Sequence, residues 1–117
     1  PELVLENGSG LSRVERLTAR GLGQILLCAS RSAFMPEFVS SLPLVSVDGT
    51  MRKRLKDSDV SGQAHIKTGS LVGARAIAGY VLDAKGRTNV LVFIANHPRA
   101  AEAIAAQDAL LKWVYAR

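Results

Sequence analysis

An α/β (α+β) fold, built as an antiparallel sheet flanked by helices, is what this sequence predicts, and three observations carry the prediction. Gln63-Ala64-His65-Ile66-Lys67 alternates, whereas Ala76 to Leu82 and Asn89 to Ala95 are apolar on both alternating faces. Turn residues separate these runs, at Gly69-Ser70-Leu71-Val72-Gly73 and at Asp83-Ala84-Lys85-Gly86-Arg87. Helix-period apolar stripes stand before and after them. Strands that are apolar on both faces need cover on both, so the predicted sheet has helices on each side.

The first elements follow in order. Leu3-Val4-Leu5 reads as a strand end or extended lead-in, and Glu6-Asn7-Gly8-Ser9-Gly10-Leu11-Ser12-Arg13 is too glycine-rich for helix or strand. Its glycines allow a tight bend that presents Ser12 towards a cleft, though an ordinary surface turn has the same composition. Thr18 is a suitable N-cap, and Leu22, Ile25, Leu26 and Ala29 recur at helical spacing over about three turns. Pro36 fits the first turn of a short second helix carrying Phe38, Val39 and Leu42, which Pro43 ends. Asp48-Gly49-Thr50 marks a turn, and Arg52-Lys53-Arg54-Leu55-Lys56 follows as a loop or single helical turn with a solvated basic face. Asp57 to Gly62 is polar and looped.

The hairpin then spans residues 63–69 and 74–82, with a third strand over 89–95. Asn96-His97-Pro98 closes that strand, and from Arg99 onward Ala100, Ile104, Leu111 and Val114 line one stripe of a final amphipathic helix. His65 and His97 read as packing and turn residues.

The chemistry is concentrated in His65-Ile66-Lys67-Thr68-Gly69-Ser70. On a strand, Lys67 and Gly69 share one face and Thr68 and Ser70 the other, and strand twist can bring their heads to one rim. One ammonium, two hydroxyls and bare glycine backbone together suit a small carboxylate.

Composition bounds the alternatives. The chain has 117 residues, enough for one domain with a core, and a formal net charge of +5. Positive charge favours anionic partners, but few aromatics and no RNA-binding signature argue against nucleic acid. No transmembrane run or signal peptide is present, and the start at Pro1 instead of Met suggests a piece of a longer chain. Cys28 is the one cysteine, so no intrachain disulfide forms; its apolar neighbours predict a buried core thiol. No cofactor or metal-binding spacing appears.

Taken together, Gly8-Ser9-Gly10-Leu11-Ser12-Arg13, Leu42-Pro43-Leu44 with Asp48-Gly49-Thr50, and Lys67-Thr68-Gly69-Ser70 resemble one family in matching order. It is the penicillin-binding D-alanyl-D-alanine carboxypeptidase/endopeptidases of the low-molecular-mass class C type, and the resemblance covers nearly the whole chain. These are serine acyltransferases with Ser-x-x-Lys, Ser-x-Asn and Lys-Thr-Gly motifs. The resemblance implies that Lys67 holds the substrate carboxylate electrostatically and polarises the second-motif serine. Thr68 and Ser70 would hydrogen-bond the terminal carboxylate of D-Ala-D-Ala or its β-lactam equivalent, beside Gly69. The strand near Ser70-Leu71 would pair with the substrate peptide and lend an oxyanion-hole amide. Ser12 would be the second-motif serine, relaying a proton to the leaving amine.

Two positions depart from the pattern. Val14 stands where the second motif has Asn, and no serine is followed three residues later by lysine. Thr50-Met51-Arg52-Lys53 has that spacing with a threonine, on what reads as a surface loop. Residues 1–117 are therefore expected to be the C-terminal portion of a β-lactamase/transpeptidase-like catalytic domain, inactive alone, with nucleophile and early strands upstream. An edge left unpaired by those missing strands predicts a homo-oligomer. The resemblance further implies a periplasmic hydrolase of the cell wall, acting on peptidoglycan peptides, acylated by β-lactams, with membrane-surface association of the whole protein. A β-lactamase or esterase relative, or a non-catalytic peptidoglycan-binding module, would share parts of this pattern.

Overall fold

The computed structural model describes residues 3–117. In chain order its elements are β1 (Leu3–Val4), β2 (Arg16–Leu17), α1 (Ala19–Ser30), α2 (Met35–Ser40), β3 (Ala64–Leu71), β4 (Ala74–Leu82), β5 (Thr88–Asn96) and α3 (Ala103–Ala116), with 3-10 turns at Gly49–Met51 and Ala100–Glu102. β4 lies between β3 and β5 in one antiparallel sheet, and β1 pairs with β2 in a separate two-stranded one.

Each strand boundary has a local cause. β3 and β4 pair from Ala64 opposite Val81 to Leu71 opposite Ala74. They turn through Val72-Gly73, where Gly73 takes the positive φ (+75°) that a tight turn requires. Arg75 closes this hairpin by donating to the carbonyls of Leu71 at 2.7 Å and Ala74 at 2.8 Å. At the β4–β5 turn Asp83 gathers the chain: Oδ1 accepts from the Lys85 and Arg87 amides, both at 2.9 Å. Its Oδ2 accepts from Arg87 Nε at 2.8 Å and Asn89 Nδ2 at 3.1 Å. The carboxyl is buried yet held well below the usual carboxylate range, foremost by the Arg87 amide, while burial opposes.

The register divides the sheet into two faces. Ala64, Ile66, Ile77, Val81 and Leu91 point to one side, where they form the core with Val45, Met51, Val60 and, from α3, Leu111 and Val114. On the opposite side α1 packs over β5 and β4, so closely that a β-carbon on Gly23 would lie 4.0 Å from Val92 Cγ2. Tyr80 reaches into α1 and donates to the Leu26 carbonyl at 2.6 Å, its ring meeting Phe38 of α2 edge-on. Burial pushes that phenol upward. Helices thus cover both faces, as doubly apolar strands demand.

Thr18 caps α1 by accepting the Gly21 amide at 2.9 Å, worth about 1 kcal/mol. Pro36 stands in the first turn of α2, but the helix stops at Ser40, short of the expected Leu42. Arg54 pins the basic run to α3, donating through Nε to Asp108 at 2.9 Å and through its other nitrogen to Gln107 at 3.3 Å.

Several expectations need correction. Cys28 is exposed, not buried, because only Leu26 of α1 enters the core and the apolar run around it is wider than the covered face. Ile25 and Ile104 are likewise exposed, and the buried stripe of α3 runs through Gln107, Leu111 and Val114. Ala100 is buried within the 3-10 turn that leads into α3. β2 lay in no predicted strand, since two residues carry no period.

Candidate active site

Lys67, Thr68, Gly69 and Ser70 all lie on β3, the edge strand of the main sheet. The outer edge of that strand is covered only at its start. Val45 donates to the Ala64 carbonyl at 2.9 Å, and Ile66 donates to the Pro43 carbonyl at 2.8 Å. Outward-pointing backbone groups alternate along a strand, so Thr68 and Ser70 present theirs to the same side. Among the described residues no segment pairs with them there.

The register separates the side chains as a strand should. Lys67 stands beside Ala78, and Gly69 beside Ala76, on the α1 face; Thr68 stands beside Ile77 on the core face. The Lys67 ammonium nevertheless curls round the edge, donating to the Thr68 carbonyl at 2.6 Å. Cation, hydroxyl and unpaired amides are thereby gathered along one exposed rim. A β-carbon on Gly69 would meet only the Ala76 β-carbon at 3.5 Å, so bare backbone here leaves open space.

Thr68 has a partner that the sequence reading set aside. Thr50 Oγ1 lies 2.7 Å from Thr68 Oγ1. Its spacing to Lys53 and its place on what reads as a surface loop give no sign of this contact with β3. The usable signal was the recurrence of Leu42-Pro43-Leu44 with Asp48-Gly49-Thr50, whose Pro43 covers the start of the same strand.

The loop between β1 and β2 stands over the other end of β3. The Glu15 carboxylate organises it by accepting the Glu6 and Gly8 amides at 3.2 and 3.3 Å. Arg13 ties it to the hairpin tip, donating to the Val72 carbonyl at 3.1 Å. Gly10 closes a cavity of about 190 Å³ whose floor is the cross-strand row Gly69, Ala76 and Ile94. Ser12 and Arg13 line an adjoining cleft of about 430 Å³ with Leu71, Val72 and Gly73.

Among the described residues no hydrogen bond joins Ser12 to Lys67. Ser12 Oγ accepts the Val14 amide at 3.2 Å within its own loop, while the ammonium is engaged at Thr68. The His65 ring meets the Leu42 carbonyl at 3.0 Å and so serves the covered part of the edge. Among the described residues no cluster of His, Cys, Asp and Glu could hold a metal, and no helix is long and apolar enough to cross a membrane.

Comparison with known proteins is consistent across sequence and structure. The family model described as D-Ala-D-Ala carboxypeptidase 3 (S13) matches residues 1–116. Carboxypeptidase DacB of Mycolicibacterium smegmatis is 37% identical over 92% of the chain, and D-alanyl-D-alanine carboxypeptidase of an Actinomadura species is 32% identical over 92%. The chain spans 25% and 21% of these two relatives. The crystal structure of penicillin binding protein 4 (dacB) from Haemophilus influenzae, complexed with a β-lactam, superposes on the whole chain with a TM-score of 0.87. At 23% identity, and with 30% of that chain covered, this likeness establishes the fold.

Proposed function

Because the chain belongs to the D-Ala-D-Ala carboxypeptidase 3 (S13) family, we propose that it supplies the carboxylate-binding strand of a serine-type D-Ala-D-Ala carboxypeptidase or endopeptidase. The observation that carries the reading is the β3 rim, where Lys67 Nζ, the Thr68 hydroxyl and the outward backbone of Thr68 and Ser70 stand together. A peptide ending in D-Ala-D-Ala offers what such a rim binds: an extended backbone for strand addition and a terminal carboxylate for a cation and hydroxyl donors. A β-lactam carboxylate meets the same groups. Gly69 keeps the approach free of side-chain bulk.

Ser12 enters this proposal as the second-motif serine on the wall of the adjoining cleft. Its hydroxyl accepts the Val14 amide and so keeps its proton to relay towards a leaving amine. Acylation requires a serine activated by a neighbouring base, and this sequence has no Ser-x-x-Lys. The nucleophile therefore belongs to a part of the catalytic domain outside these residues. The whole protein acts outside the cytoplasm, in the periplasm or at the membrane surface where peptidoglycan lies. Taken by itself the chain binds without chemistry, and the outer edge of β5, unpaired among the described residues, draws copies together; sedimentation as a monomer at high concentration would refute that association.

Titration of the 117-residue chain with a D-Ala-D-Ala peptide, followed by amide chemical shifts, tests the reading. Saturable shifts at residues 67–71 are expected, and treatment with fluorescent penicillin should leave the intact mass unchanged. Shifts confined to other elements, or a stoichiometric acyl adduct on Ser12, would overturn it.

A further inference from the structure

The segment from Leu42 to Thr50 does more than cover the start of β3, and each part of it is held. Pro43 and Val45 hydrogen-bond to β3. The Asp48 carboxylate accepts the Leu44 amide at 2.6 Å and folds the segment back on itself. Gly49 has a φ of +53°, and a β-carbon there would lie 2.9 Å from Pro43 Cβ and Cγ, so only glycine lets the turn close against the proline ring. Met51, the next residue but one, is fully buried in the core. Thr50 is thus fixed from both sides, its side chain 2.7 Å from Thr68 although it is itself exposed.

A hydroxyl has one proton to give and two lone pairs to accept with. In a pair of hydroxyls one must donate and the other accept. If Thr68 gave its proton to Thr50, it would face an arriving carboxylate with lone pairs, which repel it. With Thr50 as donor, Thr68 accepts on the inner side and keeps its own proton for the ligand, and the first bond polarises the second.

We propose that Thr50 is a positioning residue for ligand binding: it donates to Thr68 Oγ1 and so holds Thr68 as a donor to the carboxylate. This rests on the reading of β3 as the carboxylate site. It gives a task to the Asp48-Gly49-Thr50 turn beyond bending the chain. No proton is transferred and no bond is made or broken; Thr50 acts only through Thr68.

The test uses the full-length protein that carries this chain, with Thr50→Val, Thr50→Ser and Thr68→Val. Hydrolysis of a D-Ala-D-Ala peptide is compared with binding of the same peptide carrying a terminal carboxamide. Valine keeps the shape of threonine and removes its hydroxyl, whereas serine keeps the hydroxyl and removes the methyl. The expected result is that Thr50→Val raises KM for the free carboxylate about five- to ten-fold, as loss of one hydrogen bond in a charged contact should. Carboxamide binding should change less than about two-fold, and Thr50→Ser should restore the KM, if the hydroxyl and not packing matters. Equal losses for both ligands, or equal losses in the serine and valine variants, would mean packing alone and overturn the proposal. Thr68→Val impaired with Thr50→Val unaffected would overturn it while leaving the β3 reading standing. Thr68→Val without effect on the free carboxylate would refute the β3 reading itself, and this proposal with it.

Discussion

Gly79 lies with its α-carbon against the backbone carbonyl of His65, in the middle of the β3–β4 pair. Its φ of +156° and its neighbours exclude a side chain: a β-carbon would overlap the His65 carbonyl oxygen and crowd the Ile66 α-carbon. The atoms it would meet are all backbone of β3, so no rotamer change relieves them. Gly79→Ala should destabilise the chain by more than about 3 kcal/mol, a large share of a small domain's total. Urea unfolding followed by circular dichroism measures this, and a midpoint equal to wild type would contradict the packing described.

The buried Asp83 carboxylate sets an acid limit. Its pKa is depressed in the fold, so below the unfolded value of about 4 the unfolded chain binds the proton that the native state resists. Its contribution to stability is therefore complete above that pH and falls away as the solution becomes more acidic. Thermal melts should show a gap between wild type and Asp83→Asn that is constant from pH 5 to 8 and narrows below about pH 4. A gap that widens in acid would refute the assignment.

Exposure of Cys28 has a simple chemical consequence. A thiol on the solvent side of α1 reacts with Ellman's reagent without unfolding. The native chain should release one equivalent of thionitrobenzoate at a rate close to that in urea. Protection by several orders of magnitude would restore the buried thiol that the apolar sequence around it suggests.

Lys67 and Ser12 should both prove necessary under mutation. In the full-length protein, Lys67→Ala is expected to slow acylation by penicillin about 10²-fold or more, as loss of a charged ligand-binding group does. Ser12→Ala removes the hydroxyl proposed to relay a proton and should slow acylation about 10²-fold as well. A loss below about five-fold for Ser12→Ala, with the melting temperature unchanged, would refute the relay role.

Much of this architecture can be read from residue patterns, and the failures have physical causes. β4 and β5 are legible because Ala76 to Leu82 and Asn89 to Ala95 stay apolar on both faces, and Thr18 and Pro36 announce the helices they begin. Lys67, Thr68, Gly69 and Ser70 are legible as a group because strand periodicity fixes which of them share a face. Cys28 and Ile104 were misplaced because periodicity reports how wide an apolar stripe is, not how much of it a neighbour covers. Thr50 was missed because it joins Thr68 across 18 residues, through a turn whose closure depends on Gly49 against Pro43. Such contacts belong to tertiary structure, and no local pattern encodes them.

The partial cover that Pro43 and Val45 give to β3 makes its edge a ruler. Pairing is already taken as far as Ile66, so an incoming extended chain finds its first free rung at Thr68 and its next at Ser70, before the strand ends at Leu71. At about 3.4 Å per residue these rungs are roughly 7 Å apart, the span of a tripeptide unit. A longer ligand gains no further backbone bond from this edge and must turn away at Pro43. The edge thus limits length before any side chain is read, and it is too short to template the strand of another protein.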